Sequence, residues 1–331
     1  MKKFFIAIVA LAAAVACSND DIISIDRQAI GFGNPFIENS TRAIDPSYGG
    51  TKLIDAFKVW GDVKGNTGTS IFLFNGADVT RGTAAYGSPF TCTQTEYWIP
   101  SSDYNFLAIA NATSVTPATG AFPTAINYTA DGSSDLLLSE YVAVKTDAQS
   151  NPTSGVNANK CVAFTFKHLL SKVHFNFVNK SNSDKFTFKI SEIKISGTYN
   201  QGTYDITSNK WTSVSDPTGE YSFGTASNAT NANAEDTAIA IAKDASATSH
   251  NACLIIPGEQ TWKVSFTRKT YYNGNLMSTD SYTGDDAYTL NYTFVENGAY
   301  VINVELSAGV PVSFTVGNLV GWDSETTVTI P

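Results

Sequence analysis

The strongest constraint on the fold lies between Val162 and Phe177. Val162, Phe164 and Phe166 alternate with Ala163, Thr165 and Lys167, and after His168-Leu169-Leu170-Ser171-Lys172 the alternation resumes at Val173, Phe175 and Phe177. Side chains of an extended chain point to opposite faces in turn, so this spacing gives strands with one apolar face. The period recurs elsewhere. Phe57, Val59 and Val63 share a face, with Lys58, Asp62 and also Trp60 on the other; Tyr104, Phe106 and Ala108 share another, as do Phe186, Phe188 and Ile190. Shorter extended runs follow at Ile71–Phe74, Tyr97–Ile99, Leu254–Ile256, Trp262–Phe266, Tyr288–Phe294, Tyr300–Leu306 and Val312–Val316. No stretch keeps a 3.6-residue period long enough for a core helix. The pattern predicts an all-β protein of two antiparallel sandwiches in tandem, with a boundary near the polar loop 145–160 and the strand after it. The tract 224–251, rich in Ala, Thr, Asn and Ser, reads as a long loop with one short element around Ile239–Ala242.

The N-terminus is of a different kind. Met1-Lys2-Lys3 is a short basic region, and Phe4–Ala16 is an apolar run ending in Ala14-Val15-Ala16-Cys17. This is a secretory signal, too short for the roughly 20 residues that a spanning helix needs. Its end resembles a bacterial lipobox, which implies cleavage before Cys17 and acylation of that cysteine. Each buried methylene contributes about 0.8 kcal/mol, so several acyl chains would hold the protein at a membrane that it does not cross. Ser18-Asn19-Asp20-Asp21 follows as an acidic tether, similar to the export signal of surface lipoproteins of the Bacteroidetes type. Expected segments are therefore a signal at 1–16, a propeptide with the first strand at 17–42, and sandwiches at 43–165 and 166–331.

Of 331 residues, 43% are hydrophobic and only 15% charged, which suits a folded extracellular β-protein. The net charge of -9 excludes nucleic acid as a partner, since a phosphate backbone must be met by clustered Lys and Arg. With Cys17 assigned to the lipid, Cys92, Cys161 and Cys253 remain: three free thiols, or one bridge such as Cys92 to Cys161. None has metal-ligand spacing. His168 and His174 flank a turn without a carboxylate or cysteine at ligand spacing, and Asp285-Asp286 sits in a turn. Catalytic, nucleotide and EF-hand motifs are missing, and no cofactor is implied. The sequence offers no reaction.

Several motifs in fixed order carry a family resemblance. They are the Cys17 lipobox, Ile30–Phe36 followed by Ser40-Thr41-Arg42-Ala43, Phe57-Lys58-Val59-Trp60-Gly61, and Trp98-Ile99-Pro100 before Tyr104–Ala108. Asp135-Leu136-Leu137, the run Phe164–Val173, Leu254-Ile255-Ile256-Pro257, and Tyr300–Val304 followed by the Trp322 segment complete the set. Together they resemble the fimbrillin family, subunits of type V pili.

That resemblance implies Greek-key, transthyretin-like sandwiches, export as a lipoprotein, and cutting by an Arg-specific protease after Arg42, leaving Ala43 as the new N-terminus. Loss of the first strand would open a groove for a strand from a neighbouring subunit, with the C-terminal stretch around Val316–Pro331 as donor and Val328 and Ile330 as its groove-filling side chains. The implied partners are other fimbrial subunits, the outer membrane before maturation, the protease, and host or bacterial surface ligands; the implied location is the cell surface and its fimbriae. Asp236-Thr237-Ala238 resembles an O-glycosylation sequon, with Thr237 as acceptor. A non-polymerising anchor, tip or glycan-binding lipoprotein is the alternative. For glycan binding, Trp60, Trp98 and Trp211 would have to form an exposed platform.

Overall fold

The computed structural model describes residues 28–33, 35–37, 44–45, 52–65, 68–82, 90–227 and 238–319. Cys17, Arg42, Ala43, Thr237, Val328 and Ile330 lie outside the described residues. Those residues are built from strands, with a single 3₁₀ turn at Gly284–Asp286 and no α-helix. The all-β class expected from the alternation is what is observed.

The first sheet is built around Ala56–Lys64, which pairs antiparallel with Ser70–Arg81 on one side and Asp103–Ala110 on the other. Leu137–Ser139 and Val142–Lys145 extend it from Asp103–Ala110, and Thr165–His168 pairs onto Leu137–Ser139. One face buries Phe57, Val59, Val63, Phe74, Tyr104 and Phe106 in a core of their own. The opposite face carries Trp60, Leu107, Ile109 and Leu138 into a second, larger core.

That larger core belongs mostly to the later half of the chain. Ser171–Asn179 lies at the centre of a six-stranded sheet, flanked by Ala299–Leu306, on whose far side Ser313–Leu319 forms the edge. The facing five-stranded sheet is organised on Phe186–Thr198 and Gly258–Tyr272. Phe175 and Phe177 meet Phe223 and Phe266 edge-on between the two sheets, as a sandwich core requires.

Three departures from the sequence expectations have physical causes. The cut at 165/166 runs through the strand Thr165–His168, because the alternation from Val162 continues past it into the first sheet; the chain changes sheets at Leu169-Leu170. Among the described residues three strand pairs are parallel rather than antiparallel, namely Gly31–Phe32 with Cys161–Val162, Phe36–Ile37 with Thr165–Phe166, and Ser171–Asn179 with Ala299–Leu306. Period-2 alternation fixes faces but carries no information on partner direction. Finally, a four-stranded sheet ordered Lys210–Ser215, Gln201–Asp205, Ala125–Thr129, Ser114–Thr116 joins segments from both halves, and its Ile126 and Tyr128 cover the Trp60 side of the first sheet.

Candidate assembly groove

The segment 28–37 threads through the first core as a strand that belongs to no hairpin. Residues 28–33 are held on both edges. On one side the Ile30 N–H donates to the Glu96 carbonyl (2.8 Å), and the Trp98 N–H donates to the Gln28 carbonyl (3.2 Å). On the other, Gly31–Phe32 runs parallel to Cys161–Val162, and the Gly33 N–H donates to the Val162 carbonyl (2.9 Å). Phe36–Ile37 then forms the outermost strand of the large sheet beside Thr165–Phe166. Removing this segment would orphan backbone groups on two flanks at once.

Its side chains occupy prepared space. Phe32 is 4% exposed and packs edge-on to Phe74 and Phe106, at 5.4 and 6.2 Å between centroids, and stacks on Phe164 at 6.0 Å. Ile30 is equally buried in the same cluster. The glycines between and after them permit the close approach. A Cβ on Gly31 would sit 3.0 Å from the Cys161 sulfur, and one on Gly33 would sit 2.3 Å from the Asn157 amide nitrogen. Asn157 is itself committed, its Oδ1 accepting from the Asn159 and Cys161 N–H groups at 2.9 and 3.1 Å. Burial pushes the Cys161 thiol above its ordinary pKa. Cys92, Cys161 and Cys253 are free thiols.

The other end of the chain behaves differently. Ser313–Leu319 pairs antiparallel along Ala299–Leu306, with Val316 opposite Ile302 and 7% exposed. Val316, the first residue of the expected donor stretch, is therefore packed in the core of its own sheet. The three tryptophans named for a glycan platform do not make one. Trp60 and Trp98 are buried, in different cores, and the half-buried Trp211 donates its indole N–H to the Leu169 carbonyl (2.9 Å). The sequence also missed a buried His–Asp hydrogen bond: His168 Nδ1 lies 2.6 Å from Asp135 Oδ2, both side chains about 1% exposed. Asp135 stands 33 positions upstream in sequence, and only the pairing of Leu137–Ser139 with Thr165–His168 brings the two together.

Among the described residues no cluster of His, Cys, Asp and Glu could hold a metal, and no helix is long and apolar enough to cross a membrane. The described residues thus form an all-β architecture of packed sheets, with residues 28–33 running through the first core. Comparison with known families agrees: the fimbrillin-like family model matches residues 41–316, and the chain belongs to that family. Membership puts it among structural rather than catalytic proteins. A crystal structure of a fimbrial protein from Bacteroides vulgatus is similar, with a TM-score of 0.52 at 14% identity, over 89% of this chain and 99% of that one. A candidate cell adhesion protein from Bacteroides uniformis scores 0.47 at 16% identity, over 89% and 98%. A fimbrial assembly protein from Parabacteroides distasonis scores 0.39 at 11% identity, over 88% and 96%. At these identities the likeness to the first concerns the fold alone. No curated protein sequence matches.

Proposed function

We propose that this chain is a subunit of a cell-surface fimbria, carried to the outer membrane as a lipoprotein on Cys17 and activated for assembly by cleavage between Arg42 and Ala43. The observation that carries the reading is the position of segment 28–37. It lies upstream of Arg42, fills a groove with Ile30 and Phe32, ends as the edge strand Phe36–Ile37, and contributes no hairpin to the fold. Release of that segment leaves an unpaired edge over an apolar groove, the situation in which strand addition is strongly driven. The donor is the stretch after Leu319, with Val328 and Ile330 at alternate positions, since 313–319 is committed to its own sheet. The polymer supports adhesion, and Thr237 carries an O-linked glycan that intact-mass comparison with Thr237→Ala would detect.

The test is limited trypsin treatment of purified precursor. The first cut is expected at Arg42, followed by oligomers in light scattering. Removal of the last ~10 residues, an ordinary strand length, should leave the cut protein monomeric. Cut protein that stays monomeric at high concentration, or surface protein that begins at Cys17, would replace this reading with a lipid-retaining anchor.

A further inference from the structure

The five-stranded sheet ends in a hairpin whose turn is Asn273-Gly274. These two residues take φ of +48° and +78°, the geometry of a tight two-residue turn between Gly258–Tyr272 and Asn275–Tyr282. The turn is tied to the neighbouring strand: the Asn273 N–H donates to the Lys185 carbonyl (2.9 Å), and Phe186 lies opposite Tyr272 with their ring centroids 5.0 Å apart.

Three features of this end do nothing for the fold itself. Met277 is 62% exposed, the highest value for a large apolar side chain among the described residues, and Leu276 beside it is 55% exposed. Met277 is also an extra residue: Tyr271 pairs with Leu276 and Thr270 with Ser278, so the register shifts around it, and a bulge of this kind re-aims a side chain. Finally, Lys189 stands directly opposite Lys269 across the strand pair, where like charges repel. The carboxylate on the adjacent strand, Asp280, is committed to Arg268 (3.0 Å). Lys185 and Lys189 hold their ammonium groups 5.8 Å over the rings of Tyr272 and Tyr271. Residues 184–190 and 268–280 thus carry Lys185, Lys189, Arg268 and Lys269 against Asp184 and Asp280, four cations and two carboxylates, in a chain whose net charge is -9.

A partner for this end must accept apolar side chains and positive charge together. The bulge and the lysines blunt Asn275–Tyr282 as an edge for another protein strand. Two apolar side chains beside a turn also fall far short of the roughly 800 Å² per partner of a stable protein interface. A bilayer with acidic headgroups needs no matching shape: it takes Leu and Met below the headgroups, Tyr at their level and Lys against their phosphates. The acidic remainder of the chain does not oppose this, because repulsion is screened beyond the ~10 Å Debye length of 0.1 M salt. We propose that the 271–277 hairpin docks on an anionic lipid surface. Leu276 and Met277 enter the apolar layer, Tyr272 sits among the headgroups, and Lys185, Lys189 and Lys269 meet the lipid phosphates. The site is separate from the groove filled by 28–37, and its test depends on neither the Arg42 cut nor acylation of Cys17.

Co-sedimentation with lipid vesicles tests this, using residues 18–331, which include every described residue and omit the apolar run and Cys17. Vesicles are phosphatidylcholine alone or phosphatidylcholine mixed equally with phosphatidylglycerol. Binding to the mixed vesicles should be at least tenfold tighter. Leu276→Ser combined with Met277→Ser, both at exposed positions, should weaken it at least tenfold while leaving thermal unfolding unchanged. Lys189→Gln and Lys269→Gln should each weaken it about fivefold, the worth of one lysine near an anionic surface. No vesicle binding, equal binding to both kinds of vesicle, or binding indifferent to either set of substitutions would each overturn the assignment. Self-association in analytical ultracentrifugation that is lost in the double serine variant would give the hairpin to a second copy of the chain instead.

Discussion

Phe32→Ala in the uncleaved precursor tests the groove directly. The ring is 4% exposed and touches three phenylalanine rings. Truncating a buried Phe costs about 3–5 kcal/mol, the lost transfer free energy plus the cavity left behind, and edge-on ring contacts place this site in the upper part of that range. At roughly 2–4 °C per kcal/mol for a unit of this size, the first unfolding transition should fall by about 10 °C. The full penalty appears only while the segment stays docked; if 28–37 detaches as a unit first, the loss stops at its docking free energy. Thiol labelling separates the cases, because Gly31 passes directly over the Cys161 sulfur. In a Cys92→Ser background, labelling of Cys161 by a disulfide reagent at pH 8 should speed up at least tenfold in Phe32→Ala if the segment detaches. Cys253, fully enclosed, should stay unreactive throughout. Leu276→Ala, at a side chain 55% exposed, is the control and should change neither readout. A Phe32→Ala protein with unchanged melting and unchanged Cys161 labelling would refute the claim that the segment fills this groove.

Three other outcomes are expected. Gly33→Val, whose Cβ would collide with the Asn157 amide, should loosen 28–37 and speed tryptic cutting at Arg42 severalfold in a timed digest. Asp135→Ala removes the buried contact with His168 and should cost about 1–3 kcal/mol in denaturant unfolding, the usual penalty for leaving a buried hydrogen-bonding group unmet. Burial pushes Cys253, Tyr104, Tyr221 and Tyr282 up to about 12 each. Since folded values above unfolded ones give stability that is present below the unfolded pKa and lost as pH rises, these groups contribute fully at pH 7–8. Their contribution should fall between about pH 9 and 12 in a pH series of melting temperatures.

What could be read from the sequence depended on how much of each residue's environment is local. Strands such as Asp103–Ala110 and Ser171–Asn179 announce themselves because their own alternation decides which face is buried. Trp60 signalled that the second face of Ala56–Lys64 is not wholly polar, and its burial in the larger core is the reason. The four-stranded sheet that covers it could not be foreseen: Ser114–Thr116 is three residues long with one apolar side chain, and its neighbour Ala125–Thr129 takes its other partner, Gln201–Asp205, from the later half of the chain. Tyr97-Trp98-Ile99 read as a strand, yet only Tyr97 forms a bridge, to Ala29; Trp98 is there to close the groove. Among the described residues of the tract 224–251, the element expected at 239–242 is a single bridge from Ile241 to Phe188, and the strands are Ala226–Ser227 and Ser246–Ser249, whose small side chains carry no alternation signal. The groove itself was half legible. Ile30 and Phe32 were visible as alternating apolar residues, but their parallel pairing with 161–162 is a long-range choice that no local pattern records.

The same spacing bears on what can replace the segment. The groove receives side chains at positions i and i+2, Ile30 and Phe32, in space bounded by Phe74, Phe106 and Phe164. Val328 and Ile330 have the i, i+2 spacing, so a strand carrying them can present two apolar groups to one face. Neither matches a phenylalanine in volume, and protein interiors do not tolerate voids cheaply. Free energy for exchange must then come from the rest of the edge: Glu96 and Val162 offer carbonyls and Trp98 an N–H along the flanks of 28–33, all of which any backbone can meet. Side-chain fit in the groove thus favours the chain's own N-terminal segment over the later donor. If the chain polymerises as proposed, the order of events would be fixed by covalent chemistry at Arg42 rather than by relative affinity, because only removal of the better-fitting strand would let the poorer-fitting one in.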